Sequence, residues 1–263
     1  YDRDVSISSG LGPKFNGDSC RGCHFDPIVG GSGPSGVGAA RLFSDGDEDS
    51  VDGEVMRRFL SGHGRPVSIP VDEEGELVGY TEIRQALPTF GLGIIAAIPE
   101  EMIVALEDPD DLDQDGVRGV ARRLADGSIG RYGWRAQIAS LDNFIADALA
   151  VELGMTIPDE LQLSAAIYED DDKTPDPEVS VEEFDDLSHF IHLLAPPIKE
   201  APNHISEDIE RGSELFEEIG CATCHVPKID PTQSRAAYTD LLLHAIQPEE
   251  VRQRSFRTPP LWA

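Results

Sequence analysis

Gly220-Cys221-Ala222-Thr223-Cys224-His225 governs the reading of this chain, because Cys20-Arg21-Gly22-Cys23-His24 repeats its pattern near the other end. Four cysteines occur in 263 residues, and the two motifs use all of them, leaving none for a disulfide. Two thiols one turn apart can form thioethers with the two vinyl groups of a haem. The histidine that follows then reaches the iron from the same side. The competing chemistry is zinc, since two Cys-x-x-Cys pairs can make a tetrahedral thiolate site. Zinc ribbons, however, space their pairs roughly 15–20 residues apart, whereas residues 25–220 lie between these two. A redox dithiol would not require His after both pairs. Two covalent haems c follow as the expected cofactors, held by Cys20, Cys23 and His24 and by Cys221, Cys224 and His225. Covalent haem attachment takes place outside the cytoplasm, so a periplasmic or extracellular location is expected. No basic-then-apolar leader opens the chain, and a secretory signal is expected to have been removed.

Working outward, the first motif lies in a stretch rich in Gly, Ser and Pro. Gly30-Gly31-Ser32-Gly33-Pro34-Ser35-Gly36 cannot form a regular element and reads as a loop folded over an apolar surface such as haem. The second motif follows a helix predicted over 206–219, with Ile209, Leu215, Phe216 and Ile219 on one face. Pro99 with Glu100 and Glu101 suits a helix start. A longer helix is predicted over 134–153, ended by Gly154. Ser180 and Glu183 form a capping box for another, which Pro196-Pro197 stops. Between these, residues 169–179 are acidic and proline-punctuated and read as a linker. The expected architecture is mainly α, with long loops and little β. It comprises an N-terminal haem domain (1–168), the linker (169–179) and a C-terminal haem domain (180–263).

The charge is strongly negative: 50 Asp and Glu against 21 Lys and Arg, a net −29. This excludes nucleic acid as a natural partner, because phosphate contacts need Lys and Arg. It suits a redox partner protein with a basic docking surface, or a setting where salt screens self-repulsion. The plainer alternative is that the acid keeps the protein soluble. No apolar run reaches membrane-spanning length.

Several blocks around the motifs resemble the di-haem oxidoreductase family, which is distantly similar to bacterial di-haem cytochrome c peroxidases and MauG-type enzymes. They are Gly10-Leu11-Gly12-Pro13-Lys14-Phe15-Asn16, Leu87-Pro88-Thr89-Phe90-Gly91-Leu92-Gly93, Asp113-Gln114-Asp115-Gly116-Val117, Gly130-Arg131-Tyr132-Gly133-Trp134, Tyr238-Thr239-Asp240-Leu241-Leu242-Leu243-His244 and Arg257-Thr258-Pro259-Pro260-Leu261-Trp262. The resemblance implies a peroxidase-like oxidoreductase that passes electrons between two covalent haems. The alternative is an electron-transfer subunit with two six-coordinate haems and no catalytic site. Family members run on past the last block, so a further C-terminal segment or subunit is expected to complete the second pocket. The Met that often follows the family's Leu-Leu-Leu-His is Ile246 here.

The sixth iron ligand at each haem decides between carrier and enzyme. His63, with flexible neighbours, and His244, near the second motif, are the candidate distal ligands; a satisfied structural histidine is the alternative for each. Glu100 and Glu101 are the candidate acid–base groups, set against simple helix-dipole complements. The resemblance makes Trp134 a candidate electron relay between haems, set against an aromatic that only packs. Asp111, Asp113 and Asp115 stand at alternate positions before Gly116, like half of a calcium loop. A solvated acidic loop is the other reading.

Overall fold

The computed structural model describes residues 11–12, 14–33, 38–43, 54–56, 59–60, 65–66, 80–170, 174–197, 206–233, 235–246 and 255–261. His63, His204 and the acidic run Asp45, Asp47 and Asp49 lie outside them. Contact density divides the chain into two compact units, each built from two segments. Tyr1–Thr89 joins Ser140–His192, and Phe90–Ala139 joins Leu193–Ala263. Each unit holds one Cys-x-x-Cys-His motif.

In the first unit, short strands form two small antiparallel sheets. One orders β1 (Lys14–Phe15), β4 (Phe59–Leu60) and β5 (Arg65–Pro66), with β4 central. The other places β2 (Gly38–Phe43) between β3 (Glu54–Met56) and β6 (Tyr80–Gln85), with Gly38 opposite Gln85 and Phe43 opposite Tyr80. Among the described residues, the buried apolar side chains of this unit include Leu141, Ile145, Leu149, Leu153, Ile157, Phe184 and Ile191 of the later segment. The helix α3 runs over Leu141–Ala148, not from residue 134. Its start is fixed by Ser140, whose hydroxyl accepts from the Asn143 N–H at 3.2 Å. Upstream, Gly133 and Ala136 have φ of 82° and 52°, which a right-handed helix cannot contain.

A π-helical turn over Leu149–Leu153 continues α3, and Gly154 ends it in the left-handed region. Widening the turn changes which carbonyls bond within the helix. The Glu152 carbonyl accepts from Asn16 N at 2.7 Å, and that of Leu153 from Gly12 N at 3.0 Å. Asn16 Nδ2 also donates to the Glu152 carboxylate at 2.7 Å. The segment leading into the first motif is thereby stitched to the end of α3. Gly12 is required there, because a Cβ would stand 1.8 Å from the Gly154 oxygen.

The helix α4 (Val181–Leu193) starts with the full capping box. Glu183 N donates to the Ser180 hydroxyl at 3.2 Å, while the Glu183 carboxylate accepts from Ser180 N at 3.0 Å. The acidic stretch before it is held inside the first unit. Thr156 N donates to Glu178 at 2.6 Å, and the Thr156 hydroxyl donates to Asp176 at 2.8 Å.

The second unit opens with two one-turn helices, α1 (Leu92–Ala96) and α2 (Glu100–Val104), in which Pro99 is the N-cap and not the first helical residue. The buried Arg131 closes the end of α1, donating to the carbonyls of Ile95 at 3.2 Å and Ile98 at 2.7 Å. The helix α5 (Ser206–Glu218) leads to the second motif, and β7 (Leu243–Ala245) pairs with β8 (Ser255–Arg257). Five helices are described and the sheets are small. The coarse reading, little strand and long loops, is what the structure gives. Among the described residues no helix is long and apolar enough to cross a membrane.

Candidate functional site

Both motifs fold into the same local shape. Cys20–Gly22 and Cys221–Thr223 are single 3-10 turns. In each, the N–H of the second cysteine bonds the carbonyl of the first, and so does the N–H of the histidine, at 3.0 Å in both. The shared backbone turn sets the two cysteines and the histidine of each pentapeptide within one turn of chain, the spacing that thioether attachment with histidine ligation needs. Burial, the largest influence, raises the thiols of Cys20 and Cys224 above their ordinary value; Asp240 and Asp115 add to the effect at Cys224.

The two histidines differ. His225 Nδ1 donates to the Tyr238 carbonyl at 2.8 Å. A carbonyl can only accept, so the bond fixes the proton on Nδ1 and leaves the Nε2 lone pair for a metal. His24 Nδ1 is buried without a hydrogen-bond partner. Burial lowers the His24 imidazole, which the carbonyls of Gly31 and Leu87 only partly offset. The neutral ring that results is the ligand form.

Apolar surface lies open beside both turns. Phe25, Ile28 and Val29 are exposed just after the first motif. The helix α5 buries none of its residues, and Leu215 and Ile219 are exposed on the approach to Cys221. A haem at each turn would supply an apolar partner for these side chains, so the residues present fit the group.

His244 sits beside the second turn. Its ring nitrogens bond the Asp240 carboxylate at 2.8 Å and the Arg118 carbonyl at 2.9 Å. Burial on its own lowers this imidazole, but Asp240, the Arg118 carbonyl and Asp115 outweigh it and raise it above its ordinary value. Cys224, Asp240 and His244 each place a donor atom within 4.8 Å of the others. In this arrangement both nitrogens of His244 are engaged by protein groups. The Tyr238 and Arg118 carbonyls are backbone groups with no signature in the sequence; Asp240, four residues before His244, is marked there only as part of the Tyr238–His244 block.

The other candidates are placed as follows. Glu100 accepts from Ile129 N at 3.1 Å and lies 3.7 Å from the Arg131 guanidinium. Glu101 is exposed. Trp134 is partly buried, with Phe256 edge-on at 6.2 Å. Of the three expected calcium ligands, Asp111 and Asp113 converge, but their third neighbour is Asp108 and not Asp115. Their carboxylates accept backbone N–H groups: Asp108 from Leu112 at 2.9 Å, and Asp111 from Gly116 at 3.1 Å.

Residues 73–252 match the protein-family model described as "Di-haem oxidoreductase, putative peroxidase". The chain belongs to this family. The matched residues of the di-haem oxidoreductase take in Cys221–His225 and begin after Cys20–His24, whose turn has the same cysteine and histidine backbone bonds. They also contain the Tyr238–His244 turn and the Asp108–Asp113 loop. No curated protein and no solved structure matches the chain.

Proposed function

We propose that this member of the family is a peroxidase-like di-haem c-type cytochrome. One haem is attached at Cys20 and Cys23 with His24 as the axial ligand, the other at Cys221 and Cys224 with His225. The observation that carries the reading is the duplicated attachment turn, with the same cysteine and histidine backbone bonds in both units. When bound, haem supplies one-electron transfer and, where a coordination position is open, reduction of peroxide. The chain's own part is to anchor the group twice, present a neutral imidazole and shield one face with apolar side chains. Both ring nitrogens of His244 are engaged by protein groups, which speaks against His244 as the further ligand that the carrier alternative would need there.

Trp134, part-buried beside Phe256, is the proposed relay. Calcium is proposed at Asp108, Asp111 and Asp113. The location is periplasmic or extracellular, and the redox partner presents a basic surface to this acidic protein. A redox-titrated absorption and EPR spectrum of the purified protein tests the function. A haem c spectrum with one high-spin ferric signal that responds to peroxide is expected. Two low-spin haems indifferent to peroxide would leave the carrier reading in its place.

A further inference from the structure

The Tyr238 carbonyl that holds His225 belongs to an awkward stretch of backbone. Tyr238 has φ of 51° and Leu241 φ of 60°, both in the left-handed region although neither is glycine. Such a turn keeps its shape only where its surroundings fix it. The strand of contacts that fixes it is specific. Thr239 N donates to the Val226 carbonyl at 2.9 Å, directly after the ligand histidine, and Ala237 N to that of Pro227 at 2.8 Å. The Thr239 hydroxyl donates to the Thr258 carbonyl at 2.6 Å and accepts from Leu241 N at 3.0 Å.

Asp240 closes the turn. One carboxylate oxygen accepts from Leu242 N at 2.9 Å, and the other bonds His244 at 2.8 Å. His244 is anchored in turn to the Arg118 carbonyl, and a Cβ on Gly119 would stand 2.9 Å from its Cε1. Asp240 and His244 are 3 % and 6 % exposed, so this pair is not a solvated surface bridge.

We infer that Asp240 and His244 are positioning residues for the second haem: their buried pair locks the 238–244 turn so that the Tyr238 carbonyl holds the His225 imidazole. The consequence is electronic as well as geometric. A proximal Nδ1–H bonded to a carbonyl is a more basic ligand and favours the ferric iron. The contacts of this turn bear on His225 and not on His24. The lock therefore lowers the potential of one haem of the pair selectively. It also gives His244 a role other than iron ligand. The inference rests on the di-haem reading above.

The test uses the holoprotein with Asp240→Ala, His244→Ala, the double variant and Asp240→Asn. In a redox titration, one midpoint potential and only one is expected to move positive in each alanine variant. The double variant moves no further than the larger single, because both remove the same lock. Asp240→Asn keeps a side-chain acceptor and stays near the parent protein. The Nδ1 proton of His225, followed by NMR hydrogen exchange, is slow in the parent and at least tenfold faster in His244→Ala. Two attached haems with unmoved potentials would overturn the lock, as would a fast-exchanging Nδ1 proton in the parent. A low-spin haem that becomes high-spin in His244→Ala would make His244 a ligand and also overturn it. Absence of any haem c spectrum in the parent would instead overturn the functional reading.

Discussion

At the scale of single residues, close approach and capping decide more than side-chain identity suggests. Gly12→Ala would drive a methyl group into the Gly154 carbonyl. A loss of about 1–3 kcal/mol is expected from such overpacking, and urea unfolding of the purified protein measures it. Ser140→Ala removes the hydroxyl that starts α3 and should cost about 1 kcal/mol. Glu107 carries a pH dependence. Hydrogen bonds from Arg123, at 2.8 Å, and from Ala121 N hold its carboxyl below the ordinary value of 4.5. A depressed folded value means the stabilisation is present above the unfolded value and lost as pH falls through the folded one. In Glu107→Gln, stability should fall less steeply below pH 4.5 than in the parent, and identical slopes would contradict the assignment. None of these partners is visible in the sequence, because Glu107 meets Arg123, and Gly12 meets Gly154, only when distant segments are folded together.

At the scale of elements, what could be read in advance was what local chemistry encodes. The capping box of α4 and the start of α5 follow from side chains three or four positions apart, and the structure has both. The helix expected from residue 134 begins instead at Leu141, since the pattern of apolar residues ran through a turn whose positive φ values it could not register. The strands β2 and β6 were missed because each finds its partner about forty residues away. The helix α5 shows the limit of local coding. Thirteen residues of which Ile209 and Phe216 are only half-buried make a marginal helix in water, and the exposed Arg211 pairs with Glu214 and Glu218 add only about 0.2–1 kcal/mol each. Its stability is expected to come from the second haem. A Cys221→Ser, Cys224→Ser double variant should lose far-UV helical signal equivalent to this one element, and an unchanged spectrum would show that α5 stands by itself.

Across the whole molecule, the excess of acid is the dominant long-range term. A net −29 repels itself in the compact state, and the Debye length shrinks from about 30 Å at 0.01 M salt to about 8 Å at 0.15 M. The Tm should rise between these two conditions, and a flat or falling Tm in differential scanning calorimetry would show that the charges are already neutralised in place. The same field should make association with a basic redox partner steeply salt-dependent, with the on-rate falling as salt rises.

Covalent chemistry is local, and the expectation of two attached haems was therefore readable in the sequence: two pentapeptides each carry two thiols and an imidazole within one turn. Capping side chains act over three or four positions, so the start of α4 was legible for the same reason. Which carbonyl orients His225, which carboxylate engages His244, and which aspartate joins Asp111 and Asp113 were decided by tertiary structure alone. These contacts join segments far apart in the chain, often through backbone atoms that every residue possesses. The difference between the two proximal histidines belongs to that second class: identical in sequence, they are made unequal by what folds against them.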